Sequence, residues 1–186
     1  MAIKTFTTGE VLTASDTNTY LANAGWVYVN SGTFTGQTAV QVNSVFTSTY
    51  SNYKLVFENM GTAAGTHGAN IQLTASGTAS TANYSYGAQY WTLATTPTTN
   101  PFGMTSGASF DFLLFDATTK SYFELTMYAP QIARTTAVTF DGVFWTNTFR
   151  TGGGIHNVAT SYDGFKLTTA GSTISGTWSV YGQRKA

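Results

Sequence analysis

The most constraining feature of this chain is an apolar–polar alternation of period two that begins near Trp26 and recurs to the C-terminus. "YKLVFEN" sets Tyr53, Leu55 and Phe57 against Lys54, Val56 and Glu58. "YFELTMY" sets Phe123, Leu125 and Met127 against Tyr122, Glu124, Thr126 and Tyr128, and "TWSVYG" sets Trp178 and Val180 against Ser179 and Tyr181. Side chains of a strand alternate faces, so such segments bury one side and solvate the other. Further strands are expected at 26–34, 39–46, 71–75, 84–92, 108–115, 136–146, 155–161 and 164–168. All are rich in threonine, valine and aromatics, which suit a pleated surface. Turn signals separate them: 61–68, "TTPTTNPFG" within 95–107, "TGGG" and Asp163-Gly164. Many short strands without intervening helices predict an all-β fold, an antiparallel β-sandwich or jelly roll. "SFDFLLFD" carries bulk on both faces, Phe110, Phe112 and Leu114 against Leu113 and Phe115. That predicts a central strand or one covered twice.

The first 25 residues differ. Thr13 is a suitable helix N-cap, Asp16 suits the first turn, and Gly25 can end a helix in the left-handed region. A helix over this stretch is too short to be stable alone. Its apolar residues, Phe6, Leu12, Tyr20 and Leu21, are therefore expected to dock on another surface. This divides the chain into an arm, 1–25, and a β domain, 26–186.

Charge narrows the function. Only 9% of residues are charged, against about 25% in ordinary soluble domains. Eight Lys+Arg balance eight Asp+Glu, so no basic field exists to attract a phosphate backbone, and nucleic acid is not an expected partner. The chain has no cysteine, which removes disulfides, thiolate chemistry and most structural zinc sites. No apolar run approaches the roughly 18 residues of a membrane span. The N-terminus lacks a secretory stretch, so synthesis in a cytoplasm without membrane insertion is expected. Long uncharged edge strands favour packing between copies, and a homotrimer is expected.

Catalytic constellations are sparse. His67 and His156 sit in glycine-rich contexts without metal-ligand spacing and read as loop histidines. Asp111, Glu124, Asp141 and Asp163 are the carboxylates that a glycosidase would have to pair, but they mostly occupy the solvent phase of strands. "TGGGIHN" lacks the Lys-Ser/Thr of a phosphate loop and reads as a turn or close-packed bend. No catalytic, metal or cofactor residues are assigned, and no enzyme activity is expected. Tyr84, Tyr86, Tyr90 and Trp91 crowd "NYSYGAQYW". They are either core or a surface on which sugar rings could stack.

The segment "FTTGEVLTASDTNTYLANAGWVYV" resembles an N-terminal signature of tailed-bacteriophage structural proteins. Phe6, Gly9-Glu10, Leu12-Thr13-Ala14 and Asn18 carry the likeness, and Thr17 departs from the leucine common before that asparagine. "VFTSTYSNYKLVFEN" and the ending "YDGFKLTTAGSTISGTWSVYGQRK", with its Val-Tyr-Gly-x-Arg close, also resemble small virion-surface and tail-fibre proteins. The resemblance implies a virion structural protein, docked by its arm on major capsid or tail proteins and displaying the β domain. The short chain favours a capsid-decoration or head-fibre protein. A tail-fibre adhesin or carbohydrate-binding module binding host-surface glycan is the alternative.

Overall fold

Thirteen strands account for most of the described chain: β1 (Trp26–Gln37), β2 (Ala39–Val42), β3 (Tyr50–Thr62), β4 (Thr66–Ala75), β5 (Thr78–Ala79), β6 (Tyr84–Thr92), β7 (Thr99–Gly107), β8 (Phe110–Asp116), β9 (Ser121–Tyr128), β10 (Arg134–Phe144), β11 (Thr148–Thr160), β12 (Gly164–Thr169) and β13 (Ile174–Arg184). The structure is a computed structural model that describes residues 7–11, 13–16, 25–94, 96–144 and 147–184. Among them the only helical residues are one turn, Ala14–Asp16. The expected longer helix is not seen among the described residues, and Tyr20 and Leu21, which would form its stripe, lie outside them.

An eight-stranded sheet has the order β1-β13-β3-β9-β10-β11-β6-β7, and a second sheet the order β2-β12-β4-β5, with β8 also paired to β4. Every pairing is antiparallel. Eight strands form β1-β13-β3-β9 facing β2-β12-β4-β8, and among these eight the chain switches sheets at every step except β4 to β8. This is the connectivity of a jelly roll. The insertions supplying β6, β7, β10 and β11 all widen the first sheet.

The core lies between the sheets. Phe57 meets Phe165 edge-on at 5.7 Å, and Phe165 meets Trp178 at 6.0 Å. Phe112 stacks on Phe140 at 3.8 Å, and Phe115 on Phe123 at 5.7 Å. Tyr53, Leu55, Phe123, Leu125, Met127 and Val180 are buried, as the alternation predicts.

Four expectations are corrected, and one is met in its second form. β8 is not a central strand but the alternative, one covered twice. Ala69 pairs with Leu113 but Ile71 with Phe110, so β8 carries an extra residue at this step. The resulting bulge turns Phe110, Phe112 and Phe115 toward the same core. The widened sheet then wraps this strand: Tyr86 Oη donates to the Asp111 carbonyl at 3.2 Å, and Arg150 Nη1 to the Phe112 carbonyl at 2.9 Å. The "TGGG" stretch is not a turn but the middle of β11. A Cβ at Gly152 would lie 2.5 Å from the Gly87 carbonyl, and one at Gly154 the same distance from that of Ser85. Glycine serves here to let strands approach. Most of the predicted loop 95–107 is the edge strand β7, where Pro101 is tolerated because an edge leaves one side unpaired. The predicted loop 61–68 shrinks to Ala63–Gly65 between β3 and β4. Finally, neither histidine is in a loop: His67 lies on β4 and His156 on β11, in different sheets.

Candidate binding surface

Phe6, Leu12, Tyr20 and Leu21, the expected docking residues, lie outside the described residues. The four expected aromatics fall on β6, and strand parity splits them. Tyr84, Tyr86 and Tyr90 share the inward phase, whereas Trp91 faces out. Tyr84 is fully buried. Its hydroxyl accepts from Leu73 N at 2.8 Å and donates to the Ser80 carbonyl at 3.2 Å, and its ring stacks on His156 at 4.0 Å. Burial pushes its pKa up to about 12. Tyr84 is thus a core residue and not a surface contact. Tyr86 packs edge-on against Phe112 at 5.8 Å, and Tyr90 sits beside the Arg150 guanidinium at 5.7 Å. The even spacing of 84, 86 and 90 against 91 already held this division.

The outward face of the eight-stranded sheet gathers a different set. One cross-strand row runs Tyr122–Val143–Phe149–Trp91, over β9, β10, β11 and β6. Tyr122 and Val143 are 47% and 43% exposed, and the Trp91 and Phe149 rings lie 5.6 Å apart. Two residues along each strand, about 7 Å away, a second row runs Val56–Glu124–Asp141–Thr151–Gln89–Pro101. Lys54 Nζ reaches both carboxylate oxygens of Glu124, at 2.9 and 3.1 Å. A third row, Thr126–Thr139–Gly153–Gly87–Gly103, ends in three bare backbones.

These rows form an open trough perpendicular to the strands. A depression of about 300 Å³ lies between Tyr122, Glu124, Asp141, Val143 and Phe149. A second, of about 430 Å³, continues over Gln89, Thr151, Gly152 and Gly87 to Pro101, and a third, of about 330 Å³, lies over Gly153, Gly87 and Ile155. From β3 to β7 the trough crosses six strands, about 24 Å. Rings and methyls line one side, hydrogen-bonding side chains the middle, and glycine the floor beyond. Such an arrangement can stack on an apolar ligand face and hydrogen-bond its polar edge.

The remaining polar groups are placed for structure. His156 is buried, with Nε2 2.6 Å from the Tyr162 hydroxyl. Desolvation lowers its pKa, and the Asn83 carbonyl pulls weakly the other way. Asp116 accepts from the Thr118 hydroxyl at 2.5 Å, from Thr118 N at 2.8 Å and from the Thr66 hydroxyl. The Thr118 and Thr66 hydroxyls hold its carboxyl well below the usual range. Arg150, its pKa lowered by burial, lies over the rings of Phe102 at 5.2 Å and Phe144 at 5.7 Å. Of the four candidate carboxylates, the fold brings only Glu124 and Asp141 opposite each other. Asp111 accepts from the Ser109 hydroxyl at 2.5 Å on β8, and Asp163 from Ser76 N at 3.3 Å. No three His, Asp or Glu side chains among the described residues converge on a metal position.

No protein-family model matches the chain, and no curated protein matches it. Among solved structures the chain is similar to the CBM2 module of the evolved Dit of Lactobacillus casei BL23 phage J-1. The identity is 12% and the TM-score 0.37, over 88% of this chain and 78% of that one.

Proposed function

We propose that this chain is a structural protein displayed on the surface of a tailed-bacteriophage particle, and that its outer sheet face is a non-catalytic contact surface for host-surface glycan. In this reading residues 1–25 attach the protein to capsid or tail proteins, through Phe6, Leu12, Tyr20 and Leu21, and residues 26–186 are displayed. The sequence signatures at both ends support the virion assignment. The trough carries the adhesive part: a row of rings beside a row of hydrogen-bonding side chains, on a face that no other part of the described fold covers. Trp91 stays in the proposed contact set, joined by Phe149 and Tyr122. The uncharged edge strand β1 supports a homotrimer in which neighbouring copies cover one another's edges.

The location we favour is the head, as a decoration or head-fibre protein. The trough equally serves a tail-fibre adhesin, which is the second reading. The experiment compares particles made with and without the protein for adsorption to host cells and for survival of heat and low salt, and counts copies per particle. Copies in the hundreds place the protein on the head, and a handful on the tail. Full adsorption without the protein contradicts adhesion. Cleavage of host polysaccharide by the purified protein, lost on replacing Glu124 or Asp141, contradicts the non-catalytic reading.

A further inference from the structure

The trough is chemically lopsided, and this bears on which glycan it takes; the inference rests on the adhesive reading above. Three carboxylates, Glu58, Glu124 and Asp141, line its β3–β10 end together with Tyr122, Val143 and Phe149. Lys54 pairs with Glu124 at 2.9 Å, and Glu58 and Asp141 have no ion-pair partner among the described residues. The carboxylates sit on three different strands, β3, β9 and β10, and do not converge on one point. A chelated cation is therefore a poor match, since it needs several oxygens at once. Positive charge spread along an extended ligand matches better. The ligand must also present flat apolar faces to Tyr122 and Phe149, two strand spacings or about 10 Å apart.

We infer that the trough binds an extended polysaccharide containing amino-sugar residues with free amines. The C–H faces of its rings pack on the Tyr122–Val143–Phe149–Trp91 row, and its ammonium groups lie along Asp141 and Glu58. Neither half of the arrangement would suffice. Apolar rings alone would accept any sugar, and carboxylates alone any cation. Together they select a chain with a stacking face and a positive edge, and they repel polymers carrying phosphate or carboxylate.

The test is calorimetric titration of the full chain at low salt with four probes: a glucosamine tetramer, its N-acetylated form, an oligogalacturonate and tetralysine. The glucosamine tetramer is expected to bind best, with oligogalacturonate not binding. Raising the salt to about 0.5 M should weaken it, because exposed charges are screened within a few ångströms there. Phe149→Ala is expected to weaken binding about 2–10-fold, the worth of one aromatic contact. Asp141→Asn is expected to weaken the glucosamine tetramer about 2–5-fold and leave the N-acetylated form unchanged. Equal binding of both tetramers, each weakened by Phe149→Ala, would overturn the amine preference and leave the adhesive trough standing. Tetralysine binding as tightly as the sugar would overturn the inference in favour of a basic peptide. Binding of no probe would overturn it as well, and if particles lacking the protein also adsorbed normally, the adhesive reading would fall with it.

Discussion

Replacing Phe112 with alanine tests the wrapping of the widened sheet around β8. Phe112 is fully buried and contacts three rings: Phe140 stacked at 3.8 Å, Tyr86 edge-on at 5.8 Å and Phe110 at 5.7 Å. Truncating a buried phenylalanine costs about 3–5 kcal/mol from lost transfer energy and the cavity left behind. The stacked and edge-on partners each add about 0.5–1.5 kcal/mol beyond area, which places Phe112→Ala at the upper end, near 4–5 kcal/mol. At about 2–4 °C per kcal/mol for a chain of this size, the midpoint should fall by about 8–20 °C. Thermal unfolding followed by circular dichroism reads this directly. Phe112→Leu keeps most of the volume and should cost less than about 1.5 kcal/mol. Phe149→Ala, on the outer face, should lower the midpoint by only a few degrees. Equal small shifts for Phe112→Ala and Phe149→Ala would refute the assignment of inner and outer faces, and with it the trough.

Other outcomes follow from named groups. His156 is held neutral by burial, so the unfolded chain binds the extra proton. Stability should therefore be full above about pH 6.5 and fall as pH drops through that value, by up to about 1.4 kcal/mol per unit. His156→Gln should flatten that limb in urea titrations at pH 5.5, 6.5 and 7.5, whereas an unchanged slope would assign it to another group. Gly152→Ala drives a Cβ to 2.5 Å from the Gly87 carbonyl and should cost about 1–3 kcal/mol. Gly87→Ala meets nothing within 4 Å and should stay within about 0.5 kcal/mol of wild type, the two being compared by urea midpoint. Deleting residues 1–23 should leave a folded β protein that fails to join particles, and incorporation at full level would show that the anchor lies elsewhere.

Period-two alternation made much of this fold legible. Phe57, Leu125 and Trp178 were expected inside and are buried, because burial of one face leaves a direct imprint on sequence. What stayed hidden arises where one strand meets another. The bulge in β8 breaks parity between Phe112 and Phe115, and only the partner strand β4 reveals the extra residue. Gly152, Gly153 and Gly154 resemble a turn because glycine marks both turns and close strand approach, and sequence does not distinguish the two. The proline and glycine of β7 signal a loop because an edge strand escapes the ladder's demands on one side. The trough was the least legible feature. Tyr122, Val143, Phe149 and Trp91 come from four strands that span 91–149 in sequence, and register alone aligns them. Parity could have separated Trp91 from Tyr84, yet nothing local points from Trp91 to Phe149.

The most direct test of the account is the adsorption rate of particles carrying Phe149→Ala and Trp91→Ala together. Both residues are on the outer face, so the variant should fold and incorporate at wild-type copy number. The contact energy removed is small per chain and multiplied over many copies, because simultaneous engagement raises avidity by about 10²–10⁴ over a single site. The account predicts that adsorption to host cells falls by at least tenfold while copy number and heat survival are unchanged. Wild-type adsorption by particles carrying the variant at full copy number would contradict the claim that this face is the contact surface.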